Sequence, residues 1–168
     1  MIVQPQLFKW LIFLYALAGR LLDIISTRRV TPGLQLESNL LVKKFGWAYA
    51  WSTVLVALFA FSDPGFGIII GTFSCFAAFS NMRNALIARS LGEVEFKALY
   101  LRAWSSTSKK DHLINTCLNY FPLLLISVAQ LSLSVLSHNG YIADVALGIL
   151  IYVIAMLFWG GVYRKRNT

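Results

Sequence analysis

Charge is scarce in this sequence and acidic charge scarcer still: 7 Asp and Glu stand against 15 Lys and Arg, 13% of 168 residues together, while 58% are apolar. Soluble domains carry about 25% charged residues, so water is excluded as the solvent for most of this chain. Lipid is expected instead. Cysteine and histidine are almost as rare, with two of each. Cys75 and Cys117 lie in or beside apolar runs without C-x-x-C spacing, which indicates neither a disulfide framework nor a zinc site. His112 and His138 fall at opposite ends of one expected helix, roughly 39 Å apart at 1.5 Å per residue, and cannot share a metal within it. The sequence also lacks a nucleophile elbow, an H-E-x-x-H helix, a phosphate loop and a glycine-rich dinucleotide turn. The net charge of +8 is not a nucleic-acid footprint, because the basic residues flank apolar runs rather than forming a face of a soluble module. No nucleic-acid partner is expected.

What is present is a series of long apolar stretches. A bilayer core of about 30 Å takes roughly 20 residues of helix, and five stretches qualify, over residues 7–26, 45–61, 66–89, 113–136 and 141–163. The expected fold is therefore all-α, an integral membrane bundle of five transmembrane helices in a single domain. Loops at 27–44 and 90–112 join its halves. Asp63-Pro64-Gly65 and His138-Asn139-Gly140 are turn chemistry, which makes the second and third, and the fourth and fifth, helices tight hairpins. Lys and Arg set the orientation, because basic loops stay in the cytosol. With Arg164-Lys165-Arg166 inside, Arg28, Arg29, Lys43, Lys44, Arg89, Lys97, Arg102, Lys109 and Lys110 share that side, and only Lys9 opposes them. The reading is N-terminus outside, C-terminus in the cytosol of a cell inner membrane.

Within the second loop, Val94, Phe96, Leu99, Tyr100, Leu101 and Trp104 alternate with Glu93, Glu95, Lys97 and Arg102, a pattern suited to an interfacial helix or to continuation of the third span. Ser105 to Lys110 reads as a polar linker. At the N-terminus, Lys9, an apolar stretch and Ala16-Leu17-Ala18 imitate a signal peptide. The apolar run resumes at Leu21 and ends at Arg28-Arg29, as a retained helix does.

Ionisable groups inside membrane helices are costly and usually face the bundle interior or a water-filled cavity. Arg20, Asp23 and Thr27 follow at i, i+3 and i+7 and so share one face near the cytosolic end of the first helix. Glu37 and Asn39, just before the second helix, can fold back beneath them. Ser74, Ala77, Asn81, Asn84 and Ala88 form a small and polar stripe on the third helix that ends at the same depth. The candidate site is accordingly Arg20, Asp23, Thr27, Glu37, Asn39, Asn81 and Asn84. Arg83 points elsewhere, and its long stem lets it reach for headgroups.

Asp23-x-x-x-Thr27, Gly33 and Glu37-x-Asn39-Leu40 together resemble the signature of an uncharacterised family of small prokaryotic membrane proteins. In that family a first-helix Asp and Thr precede a Gly, a Glu-x-Asn-Pro and two further helices. The resemblance spans roughly residues 10–90; Leu40 stands where the family has Pro, and two more helices follow here. The family has no established activity, so the resemblance implies a site and no reaction.

Three functions fit these residues. The cluster offers oxygens to a hard cation or a protonatable pair, as in a small transporter, channel-like protein or accessory subunit. Asp23 and Glu37 otherwise make an intramembrane enzyme acting on a lipid headgroup, or the cluster is structural, with Arg20 neutralising Asp23 and Glu37 capping a helix. No resident cofactor is indicated. The expected partners are the lipid bilayer and further copies of the chain or a larger membrane complex, with Gly148 and Ala155 of the fifth helix at the contact.

Overall fold

The computed structural model describes residues 5–37 and 39–167. The described residues are helical, without strands: α1 spans Pro5–Val30, α2 Leu40–Ser52 followed by a 3-10 segment Thr53–Phe61, α3 Pro64–Leu91, α4 Glu93–Ser106, α5 Lys109–Ser137 and α6 Gly140–Asn167. Four helical stretches are long and apolar enough to cross a membrane: Leu40–Phe61, Pro64–Leu91, Lys109–Ser137 and Gly140–Phe158. α1 is 26 residues long, but Lys9, Arg20 and Asp23 interrupt its apolar run.

The helices form a row rather than a ring. α1 packs most extensively on α3, α3 also packs on α6, and α5 packs on α6 while making little contact with α3. Small residues make the α1–α3 crossing close: a Cβ on Gly71 would lie 2.3 Å from the Tyr15 ring, and one on Gly19 would lie 2.8 Å from the Gly71 carbonyl oxygen. The Tyr15 hydroxyl bonds that of Thr72 at 2.9 Å across the same seam. The 3-10 segment lies against both α1 and α3, with Ala57 and Ala60 buried.

Both turns follow local chemistry. Asp63 caps α3 by accepting from the Gly65 N–H at 2.9 Å, with Pro64 at the first helical position. At the other turn His138 adopts the left-handed conformation with φ 50°. There the Ser134 hydroxyl donates to the Asn139 carbonyl at 2.7 Å, and Asn139 Oδ1 accepts from the Tyr141 N–H at 3.1 Å.

Several elements differ from the sequence reading. The second span begins at Leu40, five residues before the expected 45, because the Asn39 side chain caps it; it then breaks at Gly46, whose φ of 74° and ψ of −164° only glycine adopts readily. From Thr53 it continues as a 3-10 helix of 9 residues, well beyond the usual three or four. In the second loop, Gly92 at φ 81° and ψ 157° ends α3 and starts α4 as a separate helix. The stretch 105–110, expected to be a polar linker, is mostly helical: α4 runs to Ser106 and α5 starts at Lys109, capped by Ser108. Finally, the Gly148 face of α6 is turned inward. A Cβ there would lie 2.7 Å from Thr72 Cβ and 2.9 Å from the Ile69 carbonyl oxygen, so Gly148 packs on α3 of the same chain instead of lying open to a second copy.

Candidate functional site

The polar stripe of α1 faces α3 and the broken second span. Arg20 Nη1 donates to Asp23 Oδ2 at 2.6 Å, and side-chain exposures of 15% and 16% place the pair inside the bundle. Arg20 also reaches two other elements, donating to Thr53 Oγ1 at 2.5 Å and to Ser74 Oγ at 3.4 Å. One guanidinium thus ties α1 to the start of the 3-10 segment and to α3. The Thr53 hydroxyl, having accepted from Arg20, donates onward to the Ala50 carbonyl at 2.6 Å. One turn further along α1, Asn81 Nδ2 donates to Thr27 Oγ1 at 2.8 Å and to Ser26 Oγ at 3.3 Å. That clip is what the i, i+7 spacing on α1 and the amide on α3 make available.

Glu37 and Asn39 close the site from the loop. Glu37 Oε1 accepts from the Asn39 N–H at 2.6 Å, and Asn39 Oδ1 accepts from the Leu41 and Val42 N–H groups at 3.0 and 3.5 Å. These bonds fix where the second span begins. Above them lies a pocket of about 250 Å³ whose walls include Arg20, Asp23, Thr27, Glu37, Asn39 and Asn81. Six of the seven residues singled out from sequence thus line one cavity. Asn84, one turn beyond Asn81, is not among its lining residues. Trp47, Tyr49 and Thr53 from the broken second span, Phe73 from α3 and Tyr152 from α6 are also among its walls.

Sequence reasoning missed the residue that shapes the loop. Glu93, the first residue of α4, accepts from the Gly33 N–H at 2.8 Å, from the N–H groups of Gln35 and Leu36, and from the Thr31 hydroxyl. Four donors from residues 31–36 converge on one carboxylate some sixty positions away. Charged hydrogen bonds of this kind are roughly twice as strong as neutral ones. The available signal was an acidic residue directly after Gly92, where the helical pattern is interrupted. Trp47 latches the same loop, donating from Nε1 to the Pro32 carbonyl at 2.9 Å, while the Arg28 guanidinium lies 5.8 Å above its ring.

The remaining polar residues join helices. Ser127 donates to the Ala146 carbonyl at 2.8 Å between α5 and α6, a packing role common in membrane bundles. Asp144 lies beside Gly65 and in the same wall as Asp63, at the turn end of the bundle opposite the polar pocket. Among the described residues no group of three or more His, Cys, Asp and Glu side chains gathers as a metal cluster would. Comparison with known families, curated proteins and solved structures found no match for this chain.

Proposed function

We propose that the chain is a five-span protein of the cell inner membrane, N-terminus outside and C-terminus in the cytosol. Its cytosol-facing pocket binds a small, singly charged cationic solute in the manner of a small transporter or channel-like subunit. The observation that carries this reading is the broken second span. Irregular backbone at membrane depth is tolerated where it is buried in protein or lines a water-filled cavity, and Trp47, Tyr49, Ala50 and Thr53, just beyond the Gly46 break, line the pocket. Its charged lining residues are Arg20, Asp23 and Glu37, two acidic groups to one basic group. Tyr49 and Phe73 add aromatic rings, which favour a cation further. Two carboxylates, rather than three or four, favour a singly charged solute over a tightly caged divalent ion.

α1 serves as the fifth span in this reading. At 26 residues it is about 39 Å long, it exposes Leu7, Trp10, Leu11 and Leu14, and its two interior charges neutralise each other. The 3-10 segment tied to Arg20 is the element suited to movement, because such stretches inside a helix often mark hinges. Self-association or a larger complex uses α5, whose most apolar window is 11% buried against 33% for α3.

Thermal melts in detergent with tetramethylammonium, potassium, sodium or magnesium test the site. A ligand bound only by the folded state raises its stability, so one of the singly charged cations raises the melting temperature of the wild type and not that of Glu37→Gln. No shift with any of the three, or an equal shift in the variant, overturns the cation reading. One observation favours a purely structural cluster: Arg20 already bonds Asp23, Thr53 and Ser74. Under that reading Asp23→Asn loses stability without altering any ligand response. Uptake of the stabilising cation into proteoliposomes separates a transporter from an accessory subunit.

A further inference from the structure

We infer that a cleft between α3 and α5, floored by Tyr152 of α6, holds the phosphate of an anionic phospholipid from the cytosolic leaflet, with Arg83 as its ligand. The cleft encloses about 230 Å³ and is lined by Phe76, Phe79, Ser80 and Arg83 on one side and by Asn119 and Leu123 on the other. It exists because α5 leans on α6 and makes little contact with α3. Pro122, inside α5 at this level, removes a backbone N–H that would otherwise bond the preceding turn.

Arg83 lies eight residues before the end of α3 at Leu91, about 12 Å along the helix, so its guanidinium sits within or just below the headgroup region. A charge at that depth is costly unless it finds a counter-charge or water. Among the described residues no carboxylate forms a salt bridge with Arg83. The guanidinium has five N–H donors and makes one hydrogen bond, to Asn119 Oδ1 at 3.3 Å. Asn119 is itself oriented, donating from Nδ2 to the Asn115 carbonyl at 2.7 Å and to Asn115 Oδ1 at 3.1 Å, which turns its oxygen toward Arg83. Arg83 is exposed and lines the cleft, so its remaining N–H donors are accessible there. A phosphodiester accepts two parallel N–H bonds from a guanidinium edge, and basic pockets between membrane helices on the cytosolic side recognise lipid headgroups in this way. The acyl chains continue the match, since Phe79 is 70% exposed beside the cleft and Phe76 and Leu123 line it.

The test is native mass spectrometry of the full chain in mild detergent, titrated with phosphatidylglycerol or phosphatidylcholine. The wild type retains one phosphatidylglycerol per protomer at least tenfold more tightly than phosphatidylcholine, and millimolar inorganic phosphate does not displace it. Arg83→Gln abolishes the preference, Arg83→Lys reduces it several-fold through loss of the paired N–H edge, and Lys97→Gln, which removes an interfacial charge on α4, leaves it intact. Equal retention of the two lipids by the wild type overturns the inference, as does a preference in Arg83→Gln equal to the wild type's. If Arg83→Gln fails to fold, Arg83→Lys decides: an undiminished preference there overturns the paired contact. Displacement by inorganic phosphate would mean an anion site rather than a lipid site, and would also overturn it.

Discussion

Arg20 and Arg83 are both carried by long apolar helices, yet they are treated in opposite ways. Arg20 is held at 2.6 Å by Asp23 and extends to Thr53 and Ser74, so its charge is neutralised within the protein and spent on joining three elements. Arg83 makes one 3.3 Å bond to an amide and faces a cleft. A charge in hydrocarbon must find its partner in the protein, in water or in the lipid. Arg20 takes the first of these solutions, and the inferred phospholipid would give Arg83 the third.

This contrast is sharpest under substitution. Removing one member of a buried pair leaves the other uncompensated, typically a loss of about 3–5 kcal/mol. Asp23→Ala is therefore expected to destabilise the protein by about 3 kcal/mol in reversible detergent unfolding, and the double change Arg20→Met with Asp23→Leu to recover most of that. A double variant no more stable than Asp23→Ala would show that the Thr53 and Ser74 bonds, rather than the ion pair, hold the network. Glu93 provides an intermediate case, a carboxylate whose partners are backbone donors. Glu93→Ala should cost about 1–2 kcal/mol and raise amide hydrogen exchange selectively at Gly33, Gln35 and Leu36. Uniform exchange along the chain would contradict the local role. The smallest effect belongs to Arg83→Gln, which in lipid-free neutral detergent should change stability by less than about 0.5 kcal/mol, as exposed substitutions do. A loss as large as that of Asp23→Ala would place Arg83 in the packing network and erase the contrast.

The same division separates what was legible in the sequence from what was not. Arg20, Asp23 and Thr27 fall on one face by helical spacing alone, and the turns at 63–65 and 138–140 rest on residues that cap and bend the chain locally. Local chemistry is readable. The grip of Glu93 on residues 31–36 spans about sixty positions and has no local signature. The Arg83–Asn119 bond likewise depends on how α5 leans. Gly46 is an unremarkable residue in an apolar run, and only its backbone angles reveal that the span breaks there. Gly148 misled for a related reason: a small residue marks a close contact without naming the partner, and here the partner is α3 of the same protomer.

The proposed function requires the pocket around Arg20, Asp23 and Glu37 to contain water and to open to the cytosol. Its most direct test is thiol labelling at Thr27, one turn below Asp23 on the pocket wall. With Cys75→Ala and Cys117→Ala removing the native thiols, Thr27→Cys is treated with a membrane-impermeant maleimide in sealed vesicles of each orientation. Rapid labelling is expected in inside-out vesicles and none in right-side-out ones, with Asn139→Cys showing the reverse. Absence of labelling at Thr27→Cys from either side in a correctly folded protein would mean a dry cluster, and labelling from the outside would mean an inverted chain; either result contradicts the account.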